Sequence, residues 1–135
     1  MLPIDILTLF PGMFRGPLQE SILKRSQEKG LVSIRVHNIR DYAGGKHKIT
    51  DDRPYGGGPG MVMKPEPLFK AVSSLKGRNS RVLLMTPTGK RFDQKTAERL
   101  ARGKHLSFAA EFENTPDFFH GIRLSKNIEQ QHIYF

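Results

Sequence analysis

The sequence has no cysteine among its 135 residues, and no apolar run approaches the ~20 residues that a transmembrane helix needs. The lack of cysteine excludes disulfide frameworks, thiolate zinc sites and cysteine nucleophiles. The N-terminal apolar run contains Asp5 and has no basic region before it, so it predicts a buried strand and not a signal peptide. We therefore expect a single cytoplasmic domain.

The histidines are too scattered to indicate a metal site. None of them forms the i, i+4 pair that places two ligands on one helix face. We therefore expect no metal role for the five histidines, which are His37, His47, His105, His120 and His132.

Acidic residues are scarce relative to basic ones. The chain has 22 Lys and Arg against 13 Asp and Glu, a formal charge of +9. Nine basic and only two acidic residues lie between Lys76 and Lys104. A concentrated basic face is typical of proteins that bind a polyanion such as nucleic acid, because neutralised phosphates release counterions. A solvated face that only aids solubility is the alternative, and charge alone leaves both open.

Short apolar runs alternate with helical patterns along the chain. This alternation predicts an α/β fold, a mostly parallel sheet with flanking helices. Strands are expected at residues 4–10, 32–37, 81–86 and 105–109. Helices are expected from Gly16-Pro17 to Gly30, from near Pro67 to Leu75, and from an Asp93 cap to Gly103. The first of them should carry an apolar stripe of Leu18, Ile22 and Leu23 and end in a left-handed stop at Gly30.

Two loops are candidates for function. The longer one, from Asp41 to Met63, holds six of the 13 glycines and reads DDRPYGGGPGM over 51–61. Structureless connections of this length are uncommon in compact domains and are usually functional, although a flexible hairpin tip is the alternative. The shorter one, Thr86–Gly89, follows the third predicted strand, where ligands of open α/β sheets bind. An ordinary strand-to-helix turn explains that position equally well.

Four segments carry a resemblance to a known family: 4–14, 16–31, 36–71 and 81–101, with DDRPYGGGPGMVMKPEP the most specific. Together they resemble the bacterial tRNA (guanine-N1)-methyltransferases over residues 1 to about 108. The resemblance implies the SPOUT-class α/β fold with a deep trefoil knot, and a homodimer with active sites between subunits. It also implies methyl transfer from S-adenosylmethionine to N1 of the guanosine just 3′ of the tRNA anticodon.

The resemblance also implies which residues form the site. Those that would contact the methyl donor are Leu84, Met85, Thr86, Pro87, Thr88, Gly89 and Gly60. Those that would contact the tRNA substrate are Lys46, His47, Asp51, Arg53, Pro54, Tyr55, Gly56, Gly57, Gly58 and Pro59. The catalytic base of the family lies in a C-terminal part that this chain does not match, which leaves Asp51 and Asp52 as weak candidates for that role.

Residues 109–135 depart from the family pattern. Ala109–Asn114 stand where the family has a Gly-Arg-Tyr-Glu-Gly loop. We expect a truncated methyltransferase-like α/β domain over 1–108, a divergent tail over 109–135 that a frameshift or gene rearrangement could explain, and an incomplete knot. Two hypotheses follow: a tRNA methyltransferase, or a catalytically inactive remnant that at most binds RNA or associates with itself.

Overall fold

The structure, a computed structural model, describes residues 1–53, 62–110 and 123–124, and only the backbone at 62, 86–89, 110 and 123–124. The elements in chain order are β1 (Leu2–Thr8), α1 (Gly12–Leu18), α2 (Ser21–Glu28), β2 (Val32–Asn38), a 3₁₀ helix (Ile39–Tyr42), β3 (Asp51–Asp52), β4 (Val62–Met63), α3 (Pro65–Leu75), β5 (Ser80–Arg91), α4 (Gln94–Ala101), β6 (His105–Ala110) and β7 (Arg123–Leu124). No helix of these described residues is long and apolar enough to cross a membrane.

Five strands form one sheet in the order β2-β1-β6-β5-β7, and β3 pairs with β4 in a separate hairpin. The first four strands of that order are parallel, with Ile4 opposite both Ile34 and Leu106, whereas β7 runs antiparallel to β5. The prediction of a mostly parallel α/β sheet with flanking helices is confirmed. Because four strands run the same way, their first residues share one edge, the amino edge, and their last residues share the opposite carboxyl edge.

Side chains that alternate along the strands build one core on each face of the sheet. On the first face α3 and the 3₁₀ helix cover an apolar cluster of Leu7, Ile39, Leu68, Ala71, Val72 and Ala109. On the second face Leu100 of α4 packs with Leu83 and Leu106. Asp93 caps α4 as predicted, since its carboxylate accepts a hydrogen bond of 2.8 Å from the backbone N–H of Thr96.

The first predicted helix is wrong in its start and its continuity. Helical structure begins at Gly12 and not at Gly16-Pro17, and Pro17 lies inside α1. α1 ends at Leu18 and a second helix begins at Ser21, whose φ of +49° interrupts helical geometry between the two. The predicted apolar stripe is largely exposed, with Ile22 70% accessible, whereas the left-handed stop at Gly30 is confirmed by its φ of +65°.

The third predicted strand is longer than expected, and the segment after it is not a strand-to-helix turn. β5 continues from Ser80 through Thr86–Gly89 to Arg91. Met85 and Lys90 both pair with Leu124, so the register of β5 against β7 shifts between these two residues. Pro87 cannot donate a hydrogen bond to a sheet ladder, which accounts for an irregularity at this point. The strand end is therefore an irregular extended segment.

Candidate functional site

The base of the glycine-rich loop is a short hairpin with a fixed geometry. Asp51 and Asp52 of β3 pair with β4, and the backbone N–H of Lys64 donates a 2.7 Å hydrogen bond to the Thr50 carbonyl. Thr50 is fully buried, and its hydroxyl lies 3.5 Å from a guanidinium nitrogen of Arg40. The hairpin therefore holds both ends of the segment that carries the remaining predicted loop residues.

The hairpin and β5 pack on the same apolar core. Met63 of the hairpin packs against the apolar cluster, and so does Leu84 of β5. That cluster includes Ile39, which directly follows the carboxyl end of β2. The structure thus brings the predicted tRNA-contacting hairpin and the predicted donor-contacting strand to one side of the sheet, at its carboxyl edge.

The two candidate bases at the hairpin have different surroundings. One Asp52 carboxylate oxygen accepts a 2.8 Å hydrogen bond from the Arg53 backbone N–H, and the other lies 3.7 Å from the Lys64 ammonium. Asp51 is exposed, and its side chain lies on the opposite side of β3 from that of Asp52. Within the described residues no side chain bonds to the Asp51 carboxylate. Asp51 is therefore the better placed of the two to accept a proton from a ligand.

Lys46 and His47 lie in an exposed turn between the 3₁₀ helix and β3. Gly45 and Lys48, which flank them, have φ values of +82° and +46°, and the Lys48 ammonium is 3.4 Å from the Asp41 carboxylate. A cation and an imidazole at the tip of such a turn can contact an anionic ligand.

The predicted donor-binding segment offers its backbone. Leu84 packs into the core under α3, whereas Met85 packs into the core under α4. Their side chains are thus occupied and their backbone pairs with β6, so Thr86–Gly89 is the part of β5 whose N–H and C=O groups can face a nucleoside. The backbone of Thr86, Pro87, Thr88 and Gly89 lies in β5, whereas Pro54, Tyr55, Gly56, Gly57, Gly58, Pro59 and Gly60 lie outside the described residues.

A second polar cluster, which the sequence did not predict, surrounds Asp5 in the middle of β1. The fully buried carboxylate accepts two hydrogen bonds from the Arg35 guanidinium, at 2.9 and 3.0 Å. It also bonds to His37 Nε2 at 2.8 Å and to His105 Nε2 at 2.7 Å. Burial raises the pKa of Asp5, but the bonds from His37, His105 and Arg35 outweigh it and hold that pKa below its usual value.

The cluster continues to β5 through the second ring nitrogen of His105. His105 Nδ1 bonds to the Ser80 hydroxyl at 2.5 Å, and that hydroxyl accepts a 2.7 Å bond from the Gly77 N–H. Beside it, the Ser107 hydroxyl is buried without a hydrogen-bond partner in the described part of the chain. Asp5, Arg35, His37, His105 and Ser80 form what we call the Asp5 network, and it ties four strands together.

A sequence signal for this network existed. A carboxylate inside an apolar strand requires partners. Arg35, which lies directly opposite Asp5, shares one side of β2 with His37. Among the described residues no group of three or more His, Asp or Glu is arranged so that it could hold a metal ion.

Comparisons with known proteins all indicate the same family. A family model described as tRNA (Guanine-1)-methyltransferase TrmD matches residues 2–115. Proteins named tRNA (guanine-N(1)-)-methyltransferase are 59% identical over 106 residues in Dictyoglomus turgidum, 56% over 105 in Geobacillus kaustophilus and 58% over 102 in Myxococcus xanthus.

These alignments cover most of this chain and less than half of each relative. They span 78%, 76% and 74% of the chain, but 43%, 43% and 41% of the respective relatives. The family match runs to residue 115, beyond the position near 108 at which the predicted resemblance ends. The regions of identity therefore include both the hairpin and β5.

Proposed function

This chain belongs to the tRNA (guanine-1)-methyltransferase family, and from that premise we propose that it takes part in methyl transfer from S-adenosylmethionine to tRNA. The methyl acceptor would be N1 of the guanosine just 3′ of the anticodon. The juxtaposition at the carboxyl edge carries the proposal, because Met63 of the hairpin and Leu84 of β5 pack on one apolar cluster. Open α/β sheets bind their ligands at this edge.

The donor would bind through backbone groups of Leu84–Gly89, helped by Gly60. The side chains of Leu84 and Met85 are committed to the cores, so they fit a role in setting the position of the strand. S-adenosylmethionine supplies the electrophilic methyl group. β5 would hold the nucleoside end of the donor beside the hairpin.

The acceptor requires a proton acceptor and an anion contact. Guanine N1 carries a proton at neutral pH, so its methylation needs a group that removes that proton. Asp51 is our first candidate, since Asp52 is already paired with Lys64. Lys46, His47 and Arg53 would contact the phosphates of the anticodon arm, together with the loop residues Pro54–Pro59.

The remaining properties follow the family and are part of the same proposal. They are a SPOUT-type arrangement of the sheet, a homodimer with a shared site, and action in the cytoplasm where tRNA is modified. The tail that is predicted to diverge bears on the dimer, because the family model does not match this chain beyond residue 115.

A methyl-transfer assay tests the function. Labelled S-adenosylmethionine and a tRNA with guanosine after the anticodon are incubated with the full chain, with Asp51→Asn, and with Glu98→Gln as the control for loss of an exposed carboxylate. We expect transfer by the full chain, a loss of about 10²–10⁴-fold in Asp51→Asn, and no change in the control. No transfer by the full chain, together with no calorimetric binding of the donor, would overturn the proposal.

A further inference from the structure

Two basic turns lie side by side at the amino edge of the sheet. The connection from α3 to β5 reads Lys76-Gly77-Arg78-Asn79, and the connection from α4 to β6 reads Arg102-Gly103-Lys104. The residues that follow them, Ser80 and His105, are direct partners in the pairing of β5 with β6. The two basic turns therefore occupy neighbouring positions on one edge.

The backbone of both turns is held in place. The Gly77 N–H bonds to the Ser80 hydroxyl, which in turn bonds to His105 of the neighbouring strand. The Gly103 N–H donates a 2.8 Å bond to the Leu100 carbonyl. A Cβ at position 103 would lie 2.9 Å from that carbonyl oxygen, so only glycine fits there. The cations therefore project from fixed positions.

The two basic turns carry positive charge without compensation nearby. Lys76, Arg78, Arg102 and Lys104 are all exposed, and neither turn contains an Asp or Glu. Within the part of the chain that the structure describes, none of the four forms an ion pair with a carboxylate. Four unpaired cations on adjacent turns form a surface suited to a polyanion.

Helix stabilisation accounts for only half of these cations. Lys76 and Arg102 are the C-caps of α3 and α4, where a positive charge offsets the helix dipole. Arg78 and Lys104 lie two residues beyond those caps, where the dipole no longer reaches. Their charge calls for another explanation.

We propose that the two basic turns bind the phosphate backbone of an RNA at a surface separate from the carboxyl edge. This rests on the proposed function, from which the RNA substrate is taken. Strand β5 makes five residue steps from Ser80 to Met85, about 16 Å at ~3.3 Å per step. An RNA that contacts both edges would be held at one while it presents a base at the other. A lipid surface fits less well, since the turns contain no apolar side chain to insert.

Salt-dependent tRNA binding by the full chain tests this inference. We compare the wild type with Arg78→Ala/Lys104→Ala, which removes two cations that cap no helix. Removal of two phosphate contacts is expected to reduce the slope of log K against log salt by about 1.5, and to weaken binding at least about tenfold at ~0.1 M salt. The matched control is Arg15→Ala/Lys24→Ala, which removes two exposed cations from α1 and α2 and is expected to leave the slope unchanged.

Three results would overturn the inference: an unchanged slope in the turn variant, an equal loss in the control, or lost binding to anionic vesicles with tRNA binding intact. The charge-preserving variant Arg78→Lys/Lys104→Arg must restore the slope, which separates charge from folding. These slopes do not depend on methyl transfer. An inactive chain with the expected slopes would thus count against the proposed function only, and an active chain with unchanged slopes against this inference only.

Discussion

Leu7 and Asp5 lie two residues apart on β1, on the same face of the sheet, and both are fully buried. Leu7 is covered by apolar side chains of α3 and the 3₁₀ helix, whereas Asp5 is covered by Arg35, His37 and His105 from the neighbouring strands. The carboxyl half of this face is thus an apolar core, and the amino half is a hydrogen-bonded charge cluster.

The difference shows two ways to bury the same strand. Any apolar side chain of suitable size can pack at Leu7, because hydrophobic burial is not directional. The Asp5 carboxylate instead needs donors at defined positions, so it fixes the register of β1 against β2 and β6. The apolar half provides bulk stability, and the polar half specifies which strands pair and where.

The largest expected effect comes from Asp5→Asn, which keeps the shape and removes the charge. Arg35, His37 and His105 would lose their shared anion, and breaking one partner of a buried pair costs about 3–5 kcal/mol. Urea unfolding measures this loss. The control is Asp41→Asn, which breaks an exposed pair with Lys48 and should cost less than about 1 kcal/mol. If Asp5→Asn and Asp41→Asn were equally stable, the buried network would contribute no more to stability than an exposed ion pair.

Leu7→Ala tests the apolar half in the same assay. Truncation of a fully buried leucine leaves a cavity under α3 and is expected to cost about 3 kcal/mol. Ile22→Ala, at a side chain that is 70% exposed, should change stability by less than about 0.5 kcal/mol. A small effect at Leu7 would mean that α3 does not depend on this cluster.

The pH dependence of stability distinguishes the two halves, because only the polar half contains a buried carboxylate with a shifted pKa. Because the pKa of Asp5 is lower in the folded chain than in the unfolded chain, its ionised form stabilises the fold above about pH 4. That contribution is lost as the pH falls through the lowered pKa. Wild type and Leu7→Ala should therefore lose stability in parallel below about pH 4, while Asp5→Asn shows a flatter profile there. A profile of Asp5→Asn as steep as that of the wild type would contradict this assignment.

The smallest expected effect is at the end of the network. Ser80→Ala removes the hydroxyl that links the Gly77 N–H to the His105 ring and is expected to cost about 1 kcal/mol. Thermal unfolding measures the loss, with Ser73→Ala on the exposed side of α3 as the control. A larger loss than that of Asp5→Asn would place the centre of the network at Ser80.

The sheet was predictable from the sequence, whereas for the network the sequence signalled only that Asp5 needs partners and not which residues they are. Val32, Ile34 and Val36 alternate with polar residues and mark β2, and the Asp93 cap and the Gly30 stop mark helix ends. These signals are local. The Asp5 network joins residues 5, 35, 37, 80 and 105 through strand order and register, which local patterns do not contain.

The candidate site was predictable only through resemblance. Glycines and carboxylates in a long loop indicated function without indicating which one. The turn predicted after the third strand was wrong, because pairing with the distant Arg123–Leu124 extends β5 through Thr86–Gly89. Exposed positions such as Ile22 were misassigned for a related reason: an apolar residue on a helix does not reveal whether another element covers it.

The central claim is that the methyl donor binds at the carboxyl edge, on the backbone of Leu84–Gly89. Amide hydrogen exchange of the full chain, measured with and without excess S-adenosylmethionine, tests it most directly. We expect slower exchange in peptides covering 84–89 and 51–60. Exchange in β2, the edge strand farthest from β5 in the sheet, should be unchanged. Unchanged exchange at 84–89, or protection confined to the amino edge, would contradict the claim.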